Sequence, residues 1–203
     1  YAAVGTVTDV GADVDNAWVG ERAFAFNPHE SHFCVPPGDL HAVPDDIDLA
    51  AATQFPTAET AVNLALDAAP AVGERVVVFG AGPIGLTTTA VLSEFPLDSL
   101  LVVDPVPERR DLAVEFGATD VRAPATVADV DWDGPVDGVD CCVEVSGNPE
   151  ALNAAIETVG YDGCVVVGSW YGTKPAEVDL GGHFHRGRVD VVSSQVSTIS
   201  PAL

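Results

Sequence analysis

Six residues constrain this chain more than any others. Gly80-Ala81-Gly82-Pro83-Ile84-Gly85 follows the strand-like run Val76–Phe79 directly and opens directly into the helical run Leu86–Phe95. In that setting Gly80 permits a tight turn, Gly82 lets a pyrophosphate approach the backbone, and Gly85 lets the helix pack against the strand. The helix start, just after Pro83 and Ile84 of the glycine turn, would point free N–H groups and a partial positive charge at the phosphates. Alone, such a string is weak evidence. Its usual companion is an acid at the end of the next strand, and Asp104 closes Leu100–Val103 nineteen residues after Gly85. A carboxylate there accepts hydrogen bonds from the adenosine ribose hydroxyls and repels a 2′-phosphate, which argues for NAD over NADP. Arg109 is close by in sequence. It either flanks the adenine face or helps to accept a 2′-phosphate, so NADP stays open.

The surrounding pattern is that of a parallel sheet. From Asp48 onward, β-branched apolar runs bounded by Gly, Pro or Asp alternate with helical segments. Six strands are expected, at Arg75–Phe79, Leu100–Asp104, Asp120–Arg122, Gly138–Val145, Cys164–Gly168 and Val189–Val196. This is the pattern of a doubly wound α/β domain of Rossmann type, assigned to residues 46–203. Asn148 is placed to cap a helix with Pro149 at its first position, Leu152, Ile156 and Val159 on one face, and Gly160 at its exit. A second helix spans about Glu108 to Phe116, with Leu112 and Phe116 four apart and Gly117 as terminator. A third follows Thr57 and carries Val62, Leu64, Ala65 and Leu66 toward Gly73. Residues 1–45 differ in texture. Val4, Val7 and Val10 near Gly5 and Gly11, then Arg22–Phe26, then a Pro- and His-rich loop from Asn27 to Pro37 read as antiparallel β, too short to close a barrel alone.

Composition removes whole classes of function. With 31 Asp+Glu against 8 Lys+Arg, a formal net charge of -23 and a pI of about 4.1, the chain is no nucleic-acid binder, because it lacks the clustered cations that neutralise phosphates. Hydrophobic residues make up 47% of it and the mean hydropathy is +0.25, enough apolar material for a packed core. No apolar run reaches the roughly 18 residues of a membrane span. Four cysteines without a CxxC pair suit a reducing compartment, so a soluble, cytoplasmic protein is expected. The acids are mostly Asp and the only lysine is Lys174. That surface suits the molar salt of a halophile's cytoplasm, with an acidic protein from an ordinary cell as the alternative. The chain contains no Met and opens on Tyr1, as a fragment or processed product would.

The strings Val4-Gly5-Thr6-Val7, Val19-Gly20-Glu21-Arg22-Ala23, Thr60-Ala61, the glycine turn, Glu115-Phe116-Gly117-Ala118-Thr119-Asp120 and Glu144-Val145-Ser146-Gly147 run almost end to end. Together they resemble the medium-chain dehydrogenase/reductase superfamily, the zinc alcohol dehydrogenase relatives. The resemblance implies a catalytic antiparallel barrel interrupted by a six-stranded nucleotide domain, here lacking the first barrel segment and the final return. It also implies that Thr60 packs behind the nicotinamide, that Ser146 and Gly147 lie along the cofactor, and that Gly168 ends a strand near the nicotinamide. Zinc, which the family usually carries, is not expected here. Tyr1 and Ala2 stand at the positions of the family's His-Glu pair, Phe55-Pro56-Thr57 offers no Cys or carboxylate, and the four-Cys lobe between about Ala25 and Cys34 is missing. The nearest match is the zinc-free branch similar to bacteriochlorophyllide dehydrogenase.

Other polar residues have plain explanations. His29, His32 and His41 read as parts of a surface loop. His183 and His185 face one side of an extended segment, where they either reach substrate or simply lead into the last strand. Adjacent Cys141 and Cys142 read as core thiols, and no serine sits in a G-x-S-x-G elbow. Glu144 either lies along the cofactor or serves as a strand-end ion-pair partner. The expected function is an NAD(P)-dependent oxidoreductase passing hydride between nicotinamide and a small alcohol or carbonyl, with catalytic residues unassigned and a homo-oligomer left open. A non-catalytic NAD-binding module and a zinc-independent NADPH quinone or enone reductase are the alternatives.

Overall fold

The computed structural model describes residues 2–132 and 137–196, which form two compact units, 1–56 and 57–203. In the first, β1 (Ala3–Thr6), β2 (Arg22–Ala25) and β3 (His41–Ala42) make an antiparallel three-stranded sheet in that order. Phe24 is buried at its centre and stacks edge-on against Phe26 and Phe55, each at a centroid distance of 5.1 Å. His41 is not in a surface loop. It pairs with Phe24 across the ladder, and its ring lies 5.9 Å from that of Phe55. The two-residue strand escapes sequence reading because its partner supplies the pattern. The short helix α1 (Leu49–Ala52) follows, capped by the Asp48 side chain on the amides of Ala50 and Ala51.

The second unit is the α/β domain. Helix α2 (Phe55–Ala68) enters it; strand β4 (Arg75–Phe79), helix α3 (Pro83–Ser93), strand β5 (Ser99–Val103), helix α4 (Pro107–Glu115) and strand β6 (Asp120–Arg122) form its first half. Strand β7 (Val139–Glu144), helix α5 (Pro149–Thr158), strand β8 (Val159–Val167), helix α6 (His183–Arg186) and strand β9 (Asp190–Ser193) form the second. The six strands lie in the order β6-β5-β4-β7-β8-β9 and every pairing is parallel. This is the doubly wound sheet expected from the sequence, with its direction of progression reversing between β4 and β7. All five side chains of β4 are buried, and after Arg75 the strand reads as the unbroken apolar run Val76–Phe79. One face of the sheet packs Leu64, Leu92, Leu100 and Ala113 against Val76, Val78 and Val102. The other packs Leu152, Ala155 and Ile156 of α5 against Val77, Phe79 and Val165.

Several details differ from expectation, each for a local reason. Helix α5 starts as read, with Asn148 accepting from the Glu150 amide and Pro149 at the first position. It does not exit at Gly160. The chain turns extended at Val159 and pairs at once with Val139, so β8 begins five residues before Cys164 and absorbs the offset as a register shift. In α4 the buried residue is Ala113, while Leu112 and Phe116 are 40% and 39% exposed. His183 and His185 sit in the short helix α6, not an extended segment, and the His183 ring hydrogen-bonds the Val159 carbonyl at 2.6 Å. Cys141 and Cys142 are core thiols, and burial pushes both well up from the usual thiol range.

Candidate dinucleotide-binding site

Sequence and sheet order converge on one edge, outside the carboxyl ends of β4, β5, β7 and β8. There the β4 chain turns at Gly80, whose φ of 107° lies in the region that favours glycine. A Cβ on Gly80 would lie 2.8 Å from the Ser146 Cα, so the turn is wedged against the exit of β7. Gly85 is tucked beneath it, where an added Cβ would lie 1.8 Å from the Gly80 carbonyl oxygen. Gly82 is the opposite case. It caps α3 without any side-chain bond, and a Cβ there would meet nothing within 4 Å. The start of α3 therefore presents uncapped amides beside open space, which fits an anionic group in a way that a filled turn would not. Pro83 and Ile84, in the first turn, are both exposed.

Asp104 is buried at the end of β5, and both its carboxylate oxygens are engaged. Oδ2 accepts from the Ala81 amide and Oδ1 from the Val106 amide, each at 2.8 Å. Its carboxylate thus holds the glycine turn against the second strand, a task the sequence reading did not foresee. Arg109, half exposed, brings Nη1 to 3.8 Å from Oδ2, while Arg110 turns inward to donate to the Asp104 carbonyl at 2.7 Å. Arg109 is thus the cation beside the carboxylate, and Arg110 holds the Asp104 main chain.

The β7 and β8 exits complete the edge. The amides of Gly168 and Ser169 both donate to the Glu144 carbonyl, and the Gly147 amide donates to Ser169 Oγ at 2.8 Å. A Cβ on Gly168 would lie 2.6 Å from Leu64 Cδ2 and 3.1 Å from Val145 Cγ1. Thr60 lies one helical turn before Leu64 on α2. Gly80, Gly85, Ser146, Gly147 and Gly168 are therefore in one contiguous cluster, with Asp104 and Arg109 joined to it through Ala81. Among the described residues no cation pairs with Glu144. Its carboxylate takes the Ser146 amide and hydroxyl and the Tyr171 hydroxyl. Burial, reinforced by Glu144, pushes the Tyr171 hydroxyl well above the usual tyrosine range. Tyr171 has no periodicity or motif in sequence to mark it.

A family model described as zinc-binding dehydrogenase matches residues 83–201. The chain belongs to the zinc-binding dehydrogenase family. Among curated relatives, L-threonine 3-dehydrogenase of Streptomyces coelicolor is 37% identical over 131 residues, 63% of this chain and 37% of that protein. The chain spans well under half the length of that relative. Two solved structures share its fold. A short chain alcohol dehydrogenase from E. coli CFT073 complexed with NADH gives a TM-score of 0.77 at 20% identity, covering 95% of this chain and 66% of that one. A protein from Sinorhizobium meliloti 1021, assigned as a zinc-binding dehydrogenase and bound to NADP, gives 0.78 at 20%, covering 94% and 66%.

The name of this zinc-binding dehydrogenase family implies a metal, and the described residues at the positions singled out by the resemblance do not by themselves supply a donor set for one. Ala2 has no ligating atom, and Tyr1 lies outside the described residues. Phe55, Pro56 and Thr57 bring neither thiol, imidazole nor carboxylate, and between Ala25 and Cys34 only Cys34 is a thiol. Among the described residues no three His, Cys, Asp or Glu side chains gather closely enough to hold an ion. Nor is any described helix long and apolar enough to cross a membrane.

Proposed function

We propose that this chain is the nucleotide-binding part of an NAD(P)-dependent oxidoreductase that interconverts a small alcohol and its carbonyl compound, without catalytic zinc. The observation that carries the reading is the open space over Gly82 beside the uncapped start of α3, in a turn whose other two glycines are closed by contacts within 3 Å. Bound there, a nicotinamide cofactor supplies the hydride chemistry. The residues of this chain have the work of binding and orientation. Gly82 and the first amides of α3 receive the pyrophosphate, Pro83 and Ile84 shape that first turn, and Asp104 with Arg109 receives the adenosine ribose. Ser146, Gly147, Gly168 and Thr60 line the way to the nicotinamide end. Such anchoring converts a bimolecular encounter into a positioned one, where proximity contributes much of the rate.

NAD over NADP is our assignment, supported by the Asp104 carboxylate at the end of β5. The donor set supports the zinc-free proposal, and with it we assign the chain to the branch similar to bacteriochlorophyllide dehydrogenase. The Asp-rich, Lys-poor surface supports a salt-adapted cytoplasm as its setting. Competition titrations at matched salt test the cofactor assignment. NADH is expected to bind more tightly than NADPH, and replacing Asp104 with Ser is expected to narrow or reverse the difference; tighter NADPH binding by the unaltered chain would overturn it.

A further inference from the structure

Glu144 is a fully buried carboxylate whose pairing involves no cation among the bonds the structure shows. Removing a carboxylate from water is costly, and an apolar pair at a strand end avoids that cost. Ladder bonds already hold β7 to β8, with Glu144 registered opposite Val167, so strand pairing alone does not call for an acid here. The position of its donors gives the acid a purpose. Oε1 accepts from the Ser146 amide at 2.8 Å and from the Ser146 hydroxyl at 2.6 Å, and Oε2 accepts from the Tyr171 hydroxyl. Ser146 Oγ in turn accepts from the Asn148 amide at 3.0 Å. Ser169 Oγ accepts from the Gly147 amide at 2.8 Å, and Ser169 is two residues from Tyr171 along the chain. Together with the chain segments Ser146–Gly147 and Ser169–Tyr171, these bonds close the exits of β7 and β8 into one ring.

The ring touches the cofactor edge on two sides. Ser146 is the backbone against which Gly80 turns, and Val145 stands in contact range of added Cβ atoms at both Gly85, 3.4 Å, and Gly168, 3.1 Å. A change in spacing between the two exit loops would therefore reach the seat beyond Ser146, Gly147 and Gly168 first. The adenosine side is held separately, by Asp104 on Ala81 and Val106. We propose that Tyr171 is a positioning residue that, through Glu144, fixes the spacing of the two exit loops and with it the seat of the nicotinamide half of the dinucleotide. This rests on the dinucleotide reading above. It also assigns a role to the loop after β8, which that reading leaves without one.

The test compares NADH with ADP-ribose, which lacks the nicotinamide, on the full chain by calorimetry. Tyr171→Phe leaves one oxygen of a buried acid without its donor, and NADH affinity is expected to fall roughly tenfold. ADP-ribose affinity is expected to stay within about twofold, because Asp104 and its amides are untouched. Ser169→Ala, which opens the ring without altering Glu144, is expected to show the same selective loss and serves should Tyr171→Phe melt early. Equal weakening of both ligands would show a general structural role and overturn the proposal, as would unchanged NADH affinity in both variants. If the unaltered chain binds neither ligand, the dinucleotide reading itself falls, and this proposal with it.

Discussion

Gly80, Gly82 and Gly85 are interchangeable in a pattern and distinct in space. Gly80 needs its positive φ and has Ser146 against it, whereas Gly85 is closed by the Gly80 carbonyl at 1.8 Å from an added Cβ. Gly82, with φ -76° and nothing within 4 Å, has neither constraint. Stability and binding should therefore separate along the turn. Gly85→Ala is expected to cost about 1–3 kcal/mol or more by overpacking, since backbone rather than a flexible side chain must yield. Gly82→Ala is expected to leave stability within about 0.5 kcal/mol, as a surface change without strain does. Chemical denaturation of the two variants checks this, and equal losses would mean that the open side of the turn has been misassigned. The same contrast between pattern and space applies to the acid after β5. Asp104 could be read from its place after an apolar strand, but its bonds to Ala81 and Val106 could not, because a backbone partner leaves no trace in the sequence.

Strands β4 and β5 were legible because burial of nearly every side chain forces unbroken apolar runs, and a parallel ladder with crossover helices is the arrangement that buries them, whereas the edge strands β6 and β9 are half-buried and exposed. Helix α5 was legible at its start, where Asn148-Pro149 states a cap chemically, and not at its end. Val159 leaves the helix by pairing with Val139, a contact twenty residues away in sequence. The same limit hid β3, whose two residues are strand only because Phe24 and Ala23 lie opposite, and hid Tyr171, which meets Glu144 only once β7 and β8 are side by side. The α5 cap gives a prediction at this scale. Asn148→Ala removes the acceptor for the Glu150 amide and is expected to cost about 1 kcal/mol, while Asn148→Asp restores it at no comparable loss. Thermal or urea unfolding of the pair decides it; an Asn148→Ala variant as stable as the parent would show that Pro149 alone sets the helix start.

Across the whole molecule a net charge of -23 is spread over 203 residues. Lowering salt from 1 M to 0.01 M lengthens the Debye distance from roughly 3 Å to roughly 30 Å, so that repulsion sums over the full surface instead of between neighbours. The melting temperature is expected to rise with KCl through the molar range, and a melting temperature independent of salt would count against the salt-adapted setting. The same field opposes an anionic ligand at long range, which makes the local arrangement at α3, Gly82 and Arg109 decisive for binding. Calorimetric titration of the chain with NADH at high salt, alongside Gly82→Val, tests that arrangement most directly. Saturable binding to the unaltered chain is expected, with its loss in a Gly82→Val variant that still melts cooperatively at the parent temperature. Unchanged NADH affinity in that variant would contradict it.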